Sequence, residues 1–328
     1  MSHPSTWPRS LALLVSIAVL APACSGDDSD GVESVDGGSG GDDGDGGGTA
    51  EPVFAILSAF PAEMAAVLDL ASVEETKTID GHTFRAGMIG PNRVVIGMTG
   101  IGLVNAAATT RILLDGFDVA GVVVSGVAGS PQHVGDVTVP ATWVLDGGDR
   151  YDTHGPWLDL AKGMVEDGKA RLENCAIIPD AVPIAGVPEG TEVCFPHESR
   201  VVAGGFGDST DPFGGKAFAC VPGGNDVYGC DTEAPIPLRG VSVGPEAEAA
   251  LAVVDPDLQT AYDQETAAIA AAVAERKLPF VAFRAASDGG GDPYGLSGVT
   301  QFFAYYRLAA HNAAAAAATF VERLRDSP

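Results

Sequence analysis

Basic side chains are scarce in this chain: 18 Lys and Arg stand against 44 Asp and Glu, for a formal net charge of −26. Arg9 carries the one charge of the first 24 residues and Ser25–Ala50 holds eight carboxylates, which leaves −19 for residues 51–328. That balance argues against nucleic acid or an anionic membrane surface as a partner and favours a small-molecule substrate. A membrane-spanning run is missing at the N-terminus too: the apolar stretch Leu11–Leu20 (LALLVSIAVL) falls short of the ~20 residues a bilayer requires. Cysteines number five, and their spacings match no standard zinc pattern. His197 lies near Cys194, but one His beside scattered Cys is too little for a metal, so no metal and no cofactor are expected.

What the N-terminus does contain is a basic residue, a short apolar core and small residues after it, the order of a secretory signal. It ends in Ala21-Pro22-Ala23-Cys24, which resembles the lipobox of bacterial lipoproteins, where the cysteine is lipidated and becomes the new N-terminus. The alternative is an ordinary signal peptide with an incidental Cys24. Ser25–Ala50 is built from Gly, Ser and Asp, buries too little apolar surface to offset its ordering entropy, and reads as an extended acidic tether. The expected organisation is a signal peptide over 1–23, a disordered tether over 24–50 and a functional domain over 51–328. The expected location is the bacterial cell envelope, outer membrane or periplasmic face, with the membrane met only through the lipid. With Cys24 lipidated, Cys175, Cys194, Cys220 and Cys230 remain to pair in an oxidising compartment. Three connectivities are open, and proximity in sequence favours Cys175–Cys194 and Cys220–Cys230.

Within the domain, Val53–Ser58 (VFAILS) and Ala120–Ser125 (AGVVVS) have the length and content of buried strands. Pro61 opens a helical pattern through Leu70, and Thr83–Ile89 and Arg93–Thr99 read as strands around Gly90-Pro91-Asn92. Gly100-Ile101-Gly102 precedes a helix over Leu103–Leu114. A helix over Thr266–Arg276, a strand over Phe280–Ala285 and a last helix from about Thr300 to Arg325 complete the ordered parts. This alternation predicts an α/β domain with a mixed, largely parallel central sheet. The segment from about Asp146 to Pro237 is rich in Gly, Pro and Asp and reads as long loops with two disulfide-stapled excursions. His154 within it reads as a residue that orders its loop.

Polar groups collect at the ends of the buried strands, where α/β sheets bind ligands. Glu63 begins the helix after the first strand, Gly126-Val127-Ala128-Gly129 follows AGVVVS, and Arg284, Ser287 and Asp288 close the last strand, with Glu265 at the start of the preceding helix. Each has a bland reading. Glu63 suits a first helical turn, and Asp288 before three glycines suits a turn. Arg284 is harder to dismiss, because a guanidinium inside an apolar strand needs a partner.

The spacing of these residues resembles the superfamily of nucleoside phosphorylases and 5′-methylthioadenosine/S-adenosylhomocysteine nucleosidases. The likeness rests on Glu265–Asp288 (ETAAIAAAVAERKLPFVAFRAASD), Phe60-Pro61-Ala62-Glu63, Thr99–Ala107 (TGIGLVNAA), Ser125-Gly126-Val127-Ala128-Gly129 and Val134-Gly135-Asp136-Val137, in the family's order. It covers most of 53–140 and 260–325. The resemblance implies a nucleoside phosphorylase-like fold with a purine nucleoside as partner. It implies that Asp288 protonates N7 of the departing purine with Ser287 positioning it, that Glu63 activates water with Arg284 beside it, and that Glu265 accepts the ribose hydroxyls. Val127, Ala128, Gly129 and Gln264 would line the substrate, Gln264 standing where nucleosidases usually have Met. Phe302 would wall the sugar. Asp211 would either contact a purine amino group or form a turn. Phosphorylases of the family place an Arg shortly before the glycine-rich turn and a hydroxyl within it; here Val122-Val123-Val124 precedes the turn and Val127 replaces the hydroxyl, which favours water over phosphate. A non-catalytic nucleoside-binding or storage protein and a phosphate-dependent phosphorylase are the alternatives. Relatives commonly assemble, so a homodimer stays open.

Overall fold

Val53–Ser58 forms strand β1, apolar on both faces and almost wholly buried, as a strand between parallel neighbours must be. Helix α1 (Pro61–Leu68) follows, with Pro61 at a first-turn position where its missing N–H costs nothing. Strands β2 (Ser72–Ile79), β3 (His82–Ile89) and β4 (Asn92–Met98) form an antiparallel meander ending beside β1. Next come α2 (Leu103–Gly116), β5 (Gly121–His133), β6 (Val137–Val139), β7 (Thr142–Leu145) and β8 (Arg150–Asp152). The middle holds α3 (Gly155–Glu166), β9 (Arg171–Leu172), β10 (Cys175–Ile177), β11 (Glu192–Cys194) and β12 (Arg200–Ser209). The last part holds β13 (Ala247–Glu248), β14 (Ala250–Asp263), α4 (Thr266–Glu275), β15 (Phe280–Gly290) and α5 (Gly298–Arg323). This computed structural model describes residues 51–179, 182–188, 190–230 and 247–324. The expected signal peptide, Cys24 and the acidic tether lie outside the described residues.

Eleven strands make one mixed sheet in the order β2-β3-β4-β1-β5-β15-β6-β12-β7-β8, with β14 pairing both β12 and β5. The centre, β4-β1-β5-β15, is parallel. The α/β class and the mixed, largely parallel sheet are as the sequence leads one to expect. One core layer packs α1, α3 and α5 on one sheet face, and a second packs α2 and α4 on the other. In α5 the run Ala313–Ala318 is buried apart from Ala315, and its small side chains let the helix lie close to the sheet. Disulfides join Cys175 to Cys194, directly opposite each other on β10 and β11, and Cys220 to Cys230.

Three expectations are corrected. Strand β5 does not end at Ser125 but continues through Gly126–Gly129, and β15 continues through Ser287-Asp288 to Gly290. The two stay paired along this stretch, and the glycines there serve close approach rather than chain reversal. Asp288 instead lies between two register shifts of the β5–β15 ladder, an irregularity of the kind that re-aims a side chain. The middle segment keeps its long stretches outside regular elements and its two stapled excursions, but it also supplies α3 and the sheet strand β12, which were not expected. The signal in β12 was hidden because Gly204 (φ 101°) and Gly205 (φ 66°) interrupt its apolar run at a bulge. Strand β2 gave no apolar signal because it is an exposed, charged edge.

Candidate active site

Arg284 is the hub. Its side chain is 1% exposed at the middle of β15, and its guanidinium meets three carboxylates: Asp263 at 2.7 Å, Glu265 at 3.2 Å and Glu63 at 3.4 Å. Its Nε donates to Thr266 Oγ1 (2.8 Å) and its Nη1 to the Val127 carbonyl (3.3 Å). A buried guanidinium has five N–H donors to satisfy, and strands β5 and β14 with helix α1 and the start of α4 supply the acceptors. The room for it is made by Gly126, where a Cβ would come within 2.1 Å of Arg284 Nη1 and 2.5 Å of Glu63 Oε1.

Glu63 reaches this hub from the first turn of α1. The Ala59 N–H donates to its Oε2 and the Val127 N–H to its Oε1, both at 2.6 Å. Burial raises its pKa, while Arg284 and the two N–H groups oppose the rise. Glu265 is the residue that begins α4. Its Oε1 accepts from the Gly102 N–H (2.9 Å) at the start of α2, and its Oε2 faces Arg284. Gly102 has φ 97° and packs against the Phe213 ring, so the turn that presents this N–H requires glycine. Burial pushes the Glu265 carboxyl up to about 7, against the pull of Arg284 and with further upward pressure from Asp263 and Glu63.

Asp288 stands at the bulge of β15, half-buried. Ser287 Oγ donates to its Oδ1 (2.8 Å) and Tyr262 Oη to its Oδ2 (3.1 Å). Burial raises its pKa and the two hydroxyls oppose the rise. The two carboxyls expected to divide acid and base work are therefore both raised by burial. Their partners set them apart: a guanidinium and two backbone N–H groups hold Glu63, two neutral hydroxyls hold Asp288. Beyond Asp288, Gln301 of α5 makes a two-point amide clamp on the Gly289 backbone (3.0 and 2.9 Å), which pins the strand end.

The structure thus brings Arg284, Val127 and the Ser287–Asp288 pair together within the paired strands β5 and β15, with Glu63 and Glu265 reaching them from the starts of α1 and α4. Ser287 Oγ also lies 3.3 Å from the Ala128 carbonyl. Gln264 is adjacent, its Oε1 buried without a hydrogen-bond partner among the described residues. Phe302 stacks on Tyr306 (5.5 Å) and meets Phe60 edge-on (6.3 Å), an apolar surface beside the start of α1. Asp211 accepts from the N–H groups of Phe213 (2.8 Å) and Gly215, so it caps its own turn. His154 begins α3 with its ring edge-on to Trp157 (5.8 Å). A cavity of about 920 Å³ opens beside Phe60, Gly100 and Ile101, and the disulfide-closed loop carrying Phe218, Cys220 and Cys230 forms its far wall.

Three participants were not singled out from sequence: Asp263, Thr266 and Tyr262. Asp263 makes the shortest ion pair to Arg284 and is itself held by Ser209 Oγ (2.5 Å) and Thr266 Oγ1. The available signal was the excess of donors on Arg284 over the acceptors assigned to it, together with the carboxylate two residues before Glu265.

A mixed α/β sheet with buried carboxylates around one arginine of its central strands defines the class, and comparison with known proteins gives the family. Residues 53–181 match the phosphorylase superfamily. An uncharacterised Mycobacterium tuberculosis protein, Rv2293c, is 34% identical over 187 residues, 53% of this chain and 74% of that protein. The chain belongs to the phosphorylase superfamily. The 5′-methylthioadenosine/S-adenosylhomocysteine nucleosidase of Bacillus cereus is 35% identical over 88 residues, 26% of this chain and 38% of that protein. Among solved structures, the same-named nucleosidase of Neisseria meningitidis, in complex with methylthio-immucillin-A, superposes with a TM-score of 0.55 at 20% identity, covering 83% of this chain and 99% of that one. The futalosine hydrolase of Helicobacter pylori gives 0.54 at 19% identity, covering 83% and 98%. At these identities the superpositions establish the shared fold.

Proposed function

We propose that this chain hydrolyses the N-glycosidic bond of a purine nucleoside or 5′-thionucleoside. The observation that carries the reading is the buried cluster in which Glu63 and Glu265 share Arg284, next to a separately held carboxyl at Asp288. Glu63 takes a proton from the attacking water as its oxygen bonds to C1′. The C1′–N9 bond breaks through an oxocarbenium-like sugar, and Asp288 gives its proton to N7 of the departing base. Protonation makes a neutral leaving group out of what would otherwise be a purine anion, and acid–base catalysis of this kind is worth roughly 10²–10⁴-fold. Glu265 accepts the ribose hydroxyls, and the orphaned Gln264 carbonyl offers a further acceptor beside it. The large cavity past Phe60 and Ile101 gives room for the substituent on C5′.

Two features favour water over phosphate as the nucleophile. Arg284 is already surrounded by three carboxylates, so a phosphate dianion near it meets net negative charge. Strand β5 leads into the site through Val122-Val123-Val124, with no cation. A non-catalytic nucleoside binder would need the sugar contacts but no raised acid, and Asp288 favours the enzyme.

The test incubates the protein with methylthioadenosine, adenosylhomocysteine, adenosine and inosine, with and without phosphate. Free base released in phosphate-free buffer, and lost in D288N, is expected. Sugar phosphate would show phosphorolysis, and binding without base release would leave only the storage reading. We further propose that the enzyme acts outside the cytoplasm on external nucleosides, anchored through Cys24. Cys24→Ser is then expected to shift the exported protein from the membrane to the soluble fraction, and finding the wild-type protein unlipidated in the cytoplasm would remove this proposal.

A further inference from the structure

Asp288 has a neighbour that the mechanism above does not use. Tyr262, near the end of β14, extends its hydroxyl to Asp288 Oδ2 at 3.1 Å. The same strand places Asp263 against Arg284, and because strand side chains alternate, Tyr262 points away from that ion pair. Its ring lies on Gly129, the residue it pairs with across to β5. A Cβ on Gly129 would be 1.9 Å from Tyr262 Cε2, 2.1 Å from Cζ and 2.5 Å from the hydroxyl oxygen. The ring is therefore in direct contact with the Gly129 backbone.

A base protonated by Asp288 has to occupy this same place. Its acceptor nitrogen must come within about 2.6–3.2 Å of the acid's oxygen, and the Tyr262 hydroxyl already stands at that distance from Oδ2. The other carboxylate oxygen faces Ser287. A flat base also needs about 3.5 Å of van der Waals clearance on each face, and no such gap exists between the Tyr262 ring and Gly129. Yet Tyr262 is 46% exposed. One side of the ring faces solvent, and rotation about two side-chain torsions can move it there without disturbing the strand.

Building on the hydrolase reading, we propose that Tyr262 is a gate in the base subsite: its ring fills the place of the purine and its hydroxyl holds Asp288, and substrate enters by displacing it. The closed gate keeps the Asp288 carboxyl oriented between two hydroxyls and keeps bulk water from part of the site. It also sets a specificity filter, because only a base that restores a hydrogen bond to Oδ2 repays the one that Tyr262 gives up.

The sign of one measurement decides between a gate and a stacking wall. Free adenine is the probe, and its affinity is measured by equilibrium dialysis against the wild-type chain, Tyr262→Phe and Tyr262→Ala. A gate predicts binding tighter by about tenfold or more in Tyr262→Ala and by a smaller factor in Tyr262→Phe, which keeps the ring but lacks the hydroxyl. Unchanged or weaker binding in Tyr262→Ala overturns the proposal. A second readout needs no ligand: carbon-13 NMR titration of the Asp288 carboxyl, assigned by its loss in D288N. Tyr262→Phe should raise the Asp288 midpoint, because a donor that favours the carboxylate is gone, and an unmoved midpoint overturns the contact. The two readings fail separately. Tighter adenine binding in Tyr262→Ala with no base release by any form keeps the gate and removes the hydrolase, whereas base release with unchanged adenine affinity keeps the hydrolase and removes the gate.

Discussion

Around Arg284 the protein is held together by buried charge. Three carboxylates from α1, β14 and the start of α4 converge on one guanidinium, and the backbone N–H groups of Ala59, Val127 and Gly102 complete their shells. The cavity wall of Phe218 to Cys230 is held by other means. The Cys220–Cys230 bond closes that loop. Asp226 then docks it, taking Tyr306 Oη through both carboxylate oxygens (2.8 Å each) and Arg307 Nε (2.9 Å), while its carbonyl accepts from the Ala62 N–H (2.8 Å). Asn105 Nδ2 adds a bond to the Phe218 carbonyl (2.7 Å). The charged cluster forms only when four separate elements have packed, and each member depends on the others. The stapled wall is closed locally and then attached. The first should be cooperative with the fold, the second separable from it.

That contrast can be broken at several points. The largest effect is expected from Arg284→Met, which leaves three buried carboxylates without their cation. Stripping one partner from a buried charge cluster costs about 3–5 kcal/mol, so urea unfolding should show a large drop in midpoint along with loss of base release. Removing the staple with Cys220→Ser and Cys230→Ser should cost less, up to about 3 kcal/mol by loop-closure entropy for so short a ring. Its signature should be local: faster amide exchange within residues 218–230, with Glu63 and Arg284 still protected. Equal loss of protection in both regions would end the distinction. Gly126→Ala comes next, because its methyl group would collide with Arg284 and Glu63. Overpacking of this kind costs about 1–3 kcal/mol, and base release should fall further than stability does.

The smallest effect is a pH slope. The folded Glu265 carboxyl titrates near 7, above its ordinary value of 4.5, so between those values the folded chain binds a proton that the unfolded chain has released. Stability is then lost as pH rises from about 4.5 to 7. Glu63, raised in the same direction, adds to the slope. Urea midpoints measured across that range should fall in the wild type, flatten in Glu265→Gln, and keep the wild-type slope in the disulfide variant. A Glu265→Gln protein with an unaltered slope would mean that Glu265 is ionised throughout.

Much of this architecture was readable from local pattern. Strand β1, the start of α1 at Pro61, α4 and the Ala-rich α5 all follow from apolar content, proline placement and helix propensity, which act within a few residues. The pairings Cys175–Cys194 and Cys220–Cys230 agree with sequence proximity because each closes a short excursion. Strand β12 escaped because two glycines with positive φ break its run, and β2 because an exposed edge strand needs no apolar face. Gly126 and Gly129 looked like a turn because glycine signals both reversal and close approach, and the residues that fill their missing side-chain volume, Arg284 and Tyr262, lie more than a hundred positions away.

The acidic balance, the α/β alternation and the presence of Glu63 and Glu265 at helix starts were determined by the sequence alone, since each depends on composition or on spacing within one element. Tertiary structure decided the partners. It made Asp263 and Thr266 the companions of Arg284, raised the carboxyls at Glu63, Glu265 and Asp288 together by burial, and set Tyr262 between Gly129 and Asp288. Desolvation and hydrogen-bond geometry depend on which distant segments meet, and that is settled only when β5, β14 and β15 come together with α1 and α4.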